Sequence, residues 1–234
     1  MITLVVSPDE LSQDEIVIEG RAYHHLFRSR RLARDTEVRL VDGRGAARFS
    51  RVTGISPSSA RFELGDAAPT HEPERYIELL TPMPRSARLT WLVEKCTEVG
   101  VSAIRLINSA RAPRRLGTQR LKRLQRVAIS AVEQSQRSVV PEISGVHAFG
   151  QIPDLLEGVT EKWYLQPGAR DSGEPFGEER AALLVGPEGG WTSAEVATLE
   201  SLGCRQKSLG PTVLRVETAA VVGCFGLLSG GFSE

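Results

Sequence analysis

The sequence predicts an α/β protein in two parts: a small β-barrel, then an α/β domain built on a mostly parallel sheet. Three observations carry that expectation. Up to Leu64 the apolar runs are short and strand-like, and turn residues such as Asp42-Gly43 and Ser56-Pro57 separate them. A polar, proline-containing stretch, Ala67-Ala68-Pro69-Thr70 with Glu72-Pro73-Glu74, then reads as a hinge. Beyond it strands alternate with amphipathic helices, the rhythm of βαβ units. The expected domains are a barrel over 1–68, a linker over 69–75 and an α/β domain over 76–234.

In the first part the expected strands are Ile2 to Val6, Ile16 to Ile18, Val38 to Val41, Phe49 to Ile55 and Ala60 to Leu64. One helix is expected around Ala22 to Leu32. In the second part, Tyr76 to Thr81 reads as a strand, followed by a helix from Ser86 to Val99 with Leu89, Leu92, Val93, Cys96 and Val99 on one stripe. Ala103 to Ile107 is the next strand. A helix from a Thr118 cap to Arg137 buries Leu121, Leu124, Ala128 and Ala131, which leaves Arg120, Lys122, Arg123 and Arg126 on the outside. Strands at Trp163 to Gln166, Ala181 to Val185 and Arg205 to Leu209 complete the sheet, and an apolar helix starts near Val216.

The 234 residues, 41% of them hydrophobic, can enclose a core in one large domain or in two. The longest apolar run, Val216 to Leu228, is interrupted by Glu217 and is too short to span a bilayer. Met1-Ile2-Thr3-Leu4 lacks the basic start of a signal peptide, so a cytoplasmic location is expected. Cys96, Cys204 and Cys224 are odd in number and lack C-x-x-C spacing. They read as buried free thiols, with no metal site and no disulfide.

The net charge of zero hides an asymmetry. Between Arg21 and Arg51 there are nine arginines and three acids, and between Arg105 and Arg137 nine basic residues against Glu133 alone. Compensation comes largely from Glu142 to Glu200, with eleven acids and three bases. Arginine-dominated clusters suit a phosphodiester partner, because guanidinium groups grip phosphates bidentately and displace counterions. A solvated basic face is the alternative.

Two apolar strands near the end each run into a glycine-proline loop and then a helix: Leu183-Leu184-Val185 into Gly186-Pro187-Glu188-Gly189-Gly190, and Ser208-Leu209 into Gly210-Pro211-Thr212-Val213-Leu214-Arg215. Ligands of open α/β sheets sit outside the carboxyl ends of the strands, so the paired loops read as one site for a nucleotide-like molecule. Thr192 with Glu195 is a capping-box signature, with Val196 and Leu199 inward and Gly203 as the C′ residue. Neither G-x-G-x-x-G nor G-x-x-x-x-G-K-[ST] is present, and Glu188 would repel an anion, so the phosphate fingerprints fail. A plain strand-to-helix turn is the bland alternative.

Several segments, in order and at suitable spacing, resemble one family: Asp42-Gly43; Lys95-x-x-Glu98-x-Gly100-Val101; Glu133-Gln134-Ser135-x-x-Arg137 followed by Pro141; Val185-Gly186-Pro187-Glu188-Gly189-Gly190; and Leu209-Gly210-x-x-Val213-Leu214-Arg215-x-Glu217-Thr218-Ala219. The chain resembles the SPOUT-class methyltransferases that methylate N3 of a uridine in small-subunit (16S) ribosomal RNA. The likeness covers essentially the whole chain. It implies a PUA-like β-barrel for RNA binding and a C-terminal SPOUT α/β domain with a deep trefoil knot, acting as a homodimer on S-adenosylmethionine with no metal. Topological rules alone argue against a knot. S-adenosylmethionine carries no phosphate, which accounts for the missing fingerprints. The resemblance implies that three loops hold it, over Leu165, Gln166 and Pro167, over Val185 to Gly190, and over Leu209, Gly210, Val213 and Leu214.

Uridine N3 must lose its proton before or as it attacks the methyl group. A cation near the uracil oxygens would stabilise the developing anion, and Arg215 is the first candidate. Its alternative role is an ion pair with Glu217 or Glu188 that holds the loop. Glu188, Glu217 and Glu133 are the candidate proton acceptors. For RNA, the resemblance implies His25, Arg28 and Arg31, beside Arg120, Arg123, Arg126 and Arg137 of the second basic cluster; a lone histidine such as His25 is otherwise structural. The chain departs from the family at Ser29-Arg30, usually an apolar pair, at Thr212, usually arginine, and at Val216, usually threonine. Two other functions remain open: an RNA-binding homologue that has lost catalysis, and a nicotinamide-dependent Rossmann enzyme, for which the fingerprint is missing.

Overall fold

The computed structural model describes residues 1–20, 23, 32–111, 115–169 and 179–230. The expected first-part helix, with His25, Arg28 and Arg31, lies outside the described residues apart from Tyr23 and Leu32. The chain divides into two compact units, Met1–Glu72 with Val132–Val140, and Pro73–Ala131 with Pro141–Glu234.

The first unit is a five-stranded sheet in the order β1-β3-β4-β5-β2: β1 (Ile2–Val5), β2 (Glu15–Glu19), β3 (Glu37–Val41), β4 (Ala47–Ile55) and β5 (Ser59–Ala67). β1 and β3 pair in parallel and the other neighbours are antiparallel. Alternation along each strand turns Ile16, Ile18, Val38, Leu40, Val52 and Phe62 into one core, where Tyr23 donates its hydroxyl proton to the Ser56 carbonyl at 2.6 Å. A short helix, α1 (Pro8–Leu11), absent from the sequence reading, is fixed by a reciprocal box between Ser7 and Glu10. Arg39 is fully buried and donates to the Pro69 and Gln136 carbonyls at 2.9–3.1 Å. Burial draws its guanidinium below the ordinary arginine range.

The second unit is a six-stranded, all-parallel sheet in the order β11-β9-β10-β6-β7-β8. Its strands are β6 (Tyr76–Pro82), β7 (Ala103–Ile107), β8 (Glu142–His147), β9 (Glu161–Leu165), β10 (Arg180–Leu184) and β11 (Arg205–Lys207). The central ones are buried along most of their length, as in a sheet covered on both faces, with Glu78 of β6 and Arg105 of β7 paired to each other. β8 escaped the sequence reading because its Glu-Ile-Ser-Gly-Val-His pattern is polar and half exposed, the mark of an edge strand. β11 stops at Lys207, two residues early, because Ser208 turns onto the Gly210 carbonyl at 3.1 Å.

The helices are α2 (Ser86–Val99), α3 (Thr118–Ser135), α4 (Ile152–Leu155), α5 (Ser193–Ser201) and α6 (Val216–Leu228). α2 buries Leu89, Leu92, Val93 and Cys96 and ends at Gly100, whose φ of +112° only glycine adopts freely. In α3 the first i→i−4 bond runs from Leu121 to the Gly117 carbonyl, so Gly117 holds the cap position expected of Thr118. α6 packs on α2, β6 and β10. All three cysteines are free and buried, and the Cys96 thiol is pushed up by its hydrogen bond with Cys224 and by burial.

Candidate active site

The chain runs outward from β6 through β7 to β8, then resumes on the other side of β6 with β9, β10 and β11. That reversal is a topological switch point, where loops at the carboxyl ends of neighbouring strands diverge and leave a crevice. A cavity of about 440 Å³ opens there, walled by the loops after β9, β10 and β11.

Each loop turns on a glycine with positive φ: Gly168 at +72°, Gly190 at +70° and Gly210 at +119°. In the first, Ala169 donates to the Gln166 carbonyl at 3.2 Å, and Gln166 donates to the Lys207 carbonyl at 3.0 Å. In the second, Gly190 donates to the Pro187 carbonyl at 2.8 Å, and the Arg111 guanidinium donates to the carbonyl of Gly189. A Cβ on Gly186 would lie 3.0 Å from Nε1 of Trp191, so a side chain there would press on the indole that closes this wall. That indole donates to the Leu165 carbonyl at 3.3 Å and meets Phe149 edge to face. The third loop ends at Arg215, the N-cap of α6.

The helix after the second loop is closed on itself. Thr192 Oγ1 accepts from the Glu195 amide at 3.2 Å, and the Glu195 carboxylate accepts from the Thr192 amide at 2.8 Å and the Ala110 amide at 2.8 Å. Burial raises the Glu195 carboxyl, but the hydrogen bonds from the Thr192 and Ala110 amides and the Thr192 hydroxyl outweigh it and hold the group below the usual carboxylate range. A carboxylate seated on the α5 terminus occupies the place a phosphate would take.

Of the expected cofactor residues, Leu165, Gln166, Pro167, Val185, Gly186, Pro187, Glu188, Gly190, Val213 and Leu214 line the cavity. Gly189, Leu209 and Gly210 do not. Gly189 faces Arg111, Leu209 borders a small adjoining cavity of about 40 Å³, and Gly210 is the exposed hinge of its loop.

Arg215 and Glu188 line the cavity, and Glu217 flanks it, nine-tenths buried in the first turn of α6. The structure does not bring Glu133 there; it belongs to the first unit, where its carboxylate accepts from the Val5 amide at 3.2 Å. The alternative ion pair for Arg215 is also absent among the described residues. Both acids are taken by Arg88 of α2, which the sequence reading missed: its Nη1 donates to Glu188 at 3.0 Å and its Nε lies 3.3 Å from Glu217. No sequence signal marks Arg88, since its partners are 100 and more residues away and a charged residue on a helix reads as a solvated one. Trp191 was missed too, although it directly follows Gly190.

The expected RNA residues divide. Arg123 and Arg126 are exposed on α3 with Lys122, and Arg120 is half buried. Arg137 is buried instead, its Nη2 2.7 Å from Glu72, because that carboxylate also accepts from the Val139 amide at 3.0 Å and fixes the loop after α3.

Two family models match the chain in succession. Residues 71–226 match the model of an RNA methyltransferase domain, and residues 18–65 that of an RNA methyltransferase PUA domain. The ribosomal RNA small subunit methyltransferase E of Mycobacterium tuberculosis is 31% identical, over 91% of this chain and 86% of its own. The protein of the same name from Synechocystis is 27% identical, over 94% of this chain and 74% of its own. The crystal structure of the Neisseria gonorrhoeae protein of that name, bound to S-adenosyl methionine, superposes with a TM-score of 0.89 at 26% identity, covering 98% of this chain and 97% of that one. The PUA-like first domain and SPOUT α/β second domain expected from the sequence are thus the observed fold, and the nicotinamide alternative falls. The chain belongs to the RNA methyltransferase family, among the ribosomal RNA small subunit methyltransferase E proteins.

Proposed function

We propose that this protein transfers a methyl group from S-adenosylmethionine to N3 of a uridine in 16S ribosomal RNA, in the cytoplasm, with residues 1–68 gripping RNA and residues 76–234 carrying the chemistry. The observation that carries the proposal is the three-loop cavity with Arg215 at its rim and free of ion pairs among the described residues. At about 440 Å³ it lies within the usual range for small-molecule sites.

The lining fits the cofactor. Leu165, Val185, Leu214 and Trp191 give an apolar wall for a nucleobase, and loop backbone is at hand for polar groups. Glu188 at the rim is favourable to a sulfonium, and the self-capped α5 leaves no phosphate seat. When bound, S-adenosylmethionine supplies an electrophilic methyl group. Arg215 stabilises charge on the uracil oxygens as N3 gives up its proton, and a carboxylate of the Arg88 cluster takes that proton. The departures at Thr212 and Val216 leave this constellation intact, since Thr212 is exposed and Val216 adds an apolar side chain to the wall.

The exposed basic residues of α3 suit a phosphodiester partner, either free RNA or an assembled subunit. A homodimer accounts for the second unit's exposed aromatics. Beyond its first turn α6 is apolar all round, with Phe225 54% exposed, and Trp91 on the neighbouring α2 is 42% exposed. Phe225→Asp is expected to convert the dimer to a monomer in sedimentation experiments; an unaltered mass would remove α6 from the interface.

The deciding assay is transfer of labelled methyl from S-adenosylmethionine to unmodified small-subunit RNA or subunits, with nucleoside analysis. N3-methyluridine is the expected product. Label on another atom, or none, overturns the proposal.

A further inference from the structure

Glu217 holds a carboxylate oxygen that has nothing to bond. Its side chain is 9% exposed, its Oε1 lies 3.3 Å from Arg88 Nε, and its Oε2 is buried without a hydrogen-bond partner among the described residues. Buried polar atoms in native proteins are almost always satisfied, because an orphan bears the full cost of its lost hydration. Glu188 shares the same guanidinium but is 68% exposed, so water serves it. The two acids therefore differ: one is a solvated rim group and the other waits for a donor. Val216, the neighbour of Glu217 in the chain, and Arg88, its ion-pair partner, both line the cavity.

Among the described residues, three other charged groups line the cavity that Glu217 flanks. Arg88 comes from α2, Glu188 from the loop after β10, and Arg215 from the start of its own helix. The charged residues of β6 and β10, Glu78 and Arg180, pair with each other at 3.3 Å.

We propose that Glu217 accepts the uridine N3 proton and that Arg88 is the positioning residue that presents it, a step resting on the methyl-transfer reading above. Arg88 engages Oε1 and leaves Oε2 bare. As the N3–H bond breaks, its electron pair stays on N3 and its proton passes to Oε2. N3 bonds the methyl carbon, and the electron pair of the old carbon–sulfur bond returns to sulfur, which becomes a neutral thioether. The donor that Oε2 lacks is thus the substrate's own N–H.

Two measurements test the pair. In the unliganded protein, Arg88→Ala strands a buried carboxylate and is expected to lower Tm by roughly 3 °C or more, and adding Glu217→Gln in the same chain regains most of that loss. A packing role for Arg88 alone would leave the double variant as unstable as the single one, which would overturn the assignment. In the methylation assay, Glu217→Gln is expected to lower kcat about a hundredfold or more while the Kd for S-adenosylmethionine, by calorimetry, stays within about threefold. Arg88→Ala lowers kcat in the native background and adds nothing in the Glu217→Gln background, and Arg88→Lys restores part of the rate. Full activity of Glu217→Gln, or loss of activity in Glu188→Gln alone, overturns the inference and leaves the methyl-transfer reading standing. Failure of the unaltered protein to form N3-methyluridine overturns both.

Discussion

Arg88 and Arg215 both line the cavity, yet their surroundings give them different roles. Arg88 is committed to two carboxylates, whereas Arg215 is exposed and meets no acid among the described residues. A cation already neutralised has little field left for a developing anion; a free one keeps it. Arg215→Ala is therefore expected to cut methyl transfer by about a hundredfold or more, with the Kd for S-adenosylmethionine changed by less than about fivefold. If transfer and binding both survive, Arg215 is scaffolding. That Glu188, Glu217 and Arg215 would lie close to the paired loops was legible in the sequence, because they sit within two short motifs. Arg88, Arg111 and the burial of Glu217 were not, since each depends on groups brought together from distant parts of the chain.

At the level of elements, the sequence marks most clearly what local chemistry decides. The α2 stripe, the Thr192–Glu195 box and the left-handed Gly203 after α5 are all where their patterns put them. Edge strand β8 and the four-residue helices α1 and α4 were illegible, because short or half-exposed segments carry little periodicity. The box has a consequence in acid. Glu195 titrates below its unfolded value, so its contribution is present above the ordinary carboxylate range near pH 4 and is lost as pH falls through the lowered folded value. Glu195→Gln is expected to lower Tm at neutral pH and flatten its fall in acid; parallel curves for the two proteins would contradict this. In α6, a Cβ on Gly223 would lie 2.6 Å from Leu183 Cδ2, 3.4 Å from Leu165 and 3.6 Å from Leu209, so Leu183 must shift where two other leucines already crowd the site. Gly223→Ala is thus expected to destabilise by about 1–3 kcal/mol, despite alanine's helix preference of about 1 kcal/mol, in urea unfolding. A stabilised variant would show that Leu183 moves freely.

For the whole molecule, charge counting from the sequence overstates the basic surface. Arg39 and Arg137 are buried, and Arg105 is held by Glu142 and Glu78. What remains on α3 is Lys122, Arg123 and Arg126. RNA affinity is expected to fall steeply with salt, and Arg123→Ala and Arg126→Ala should each reduce the log–log salt slope by about 0.7–0.9, read from binding isotherms at several ionic strengths. Unchanged slopes would move the RNA to another face. The second unit has a further property of a different kind. All three tryptophans belong to it, Trp91 exposed on α2, Trp163 fully buried in β9 and Trp191 at the cavity wall. Ultraviolet emission from indole therefore reports on this unit and is silent about the other. Of the three emitters only Trp191 borders the cavity, with its ring pinned by Phe149 and by the Leu165 carbonyl. The molecule thus carries an optical probe of occupancy at its own site, readable without any label.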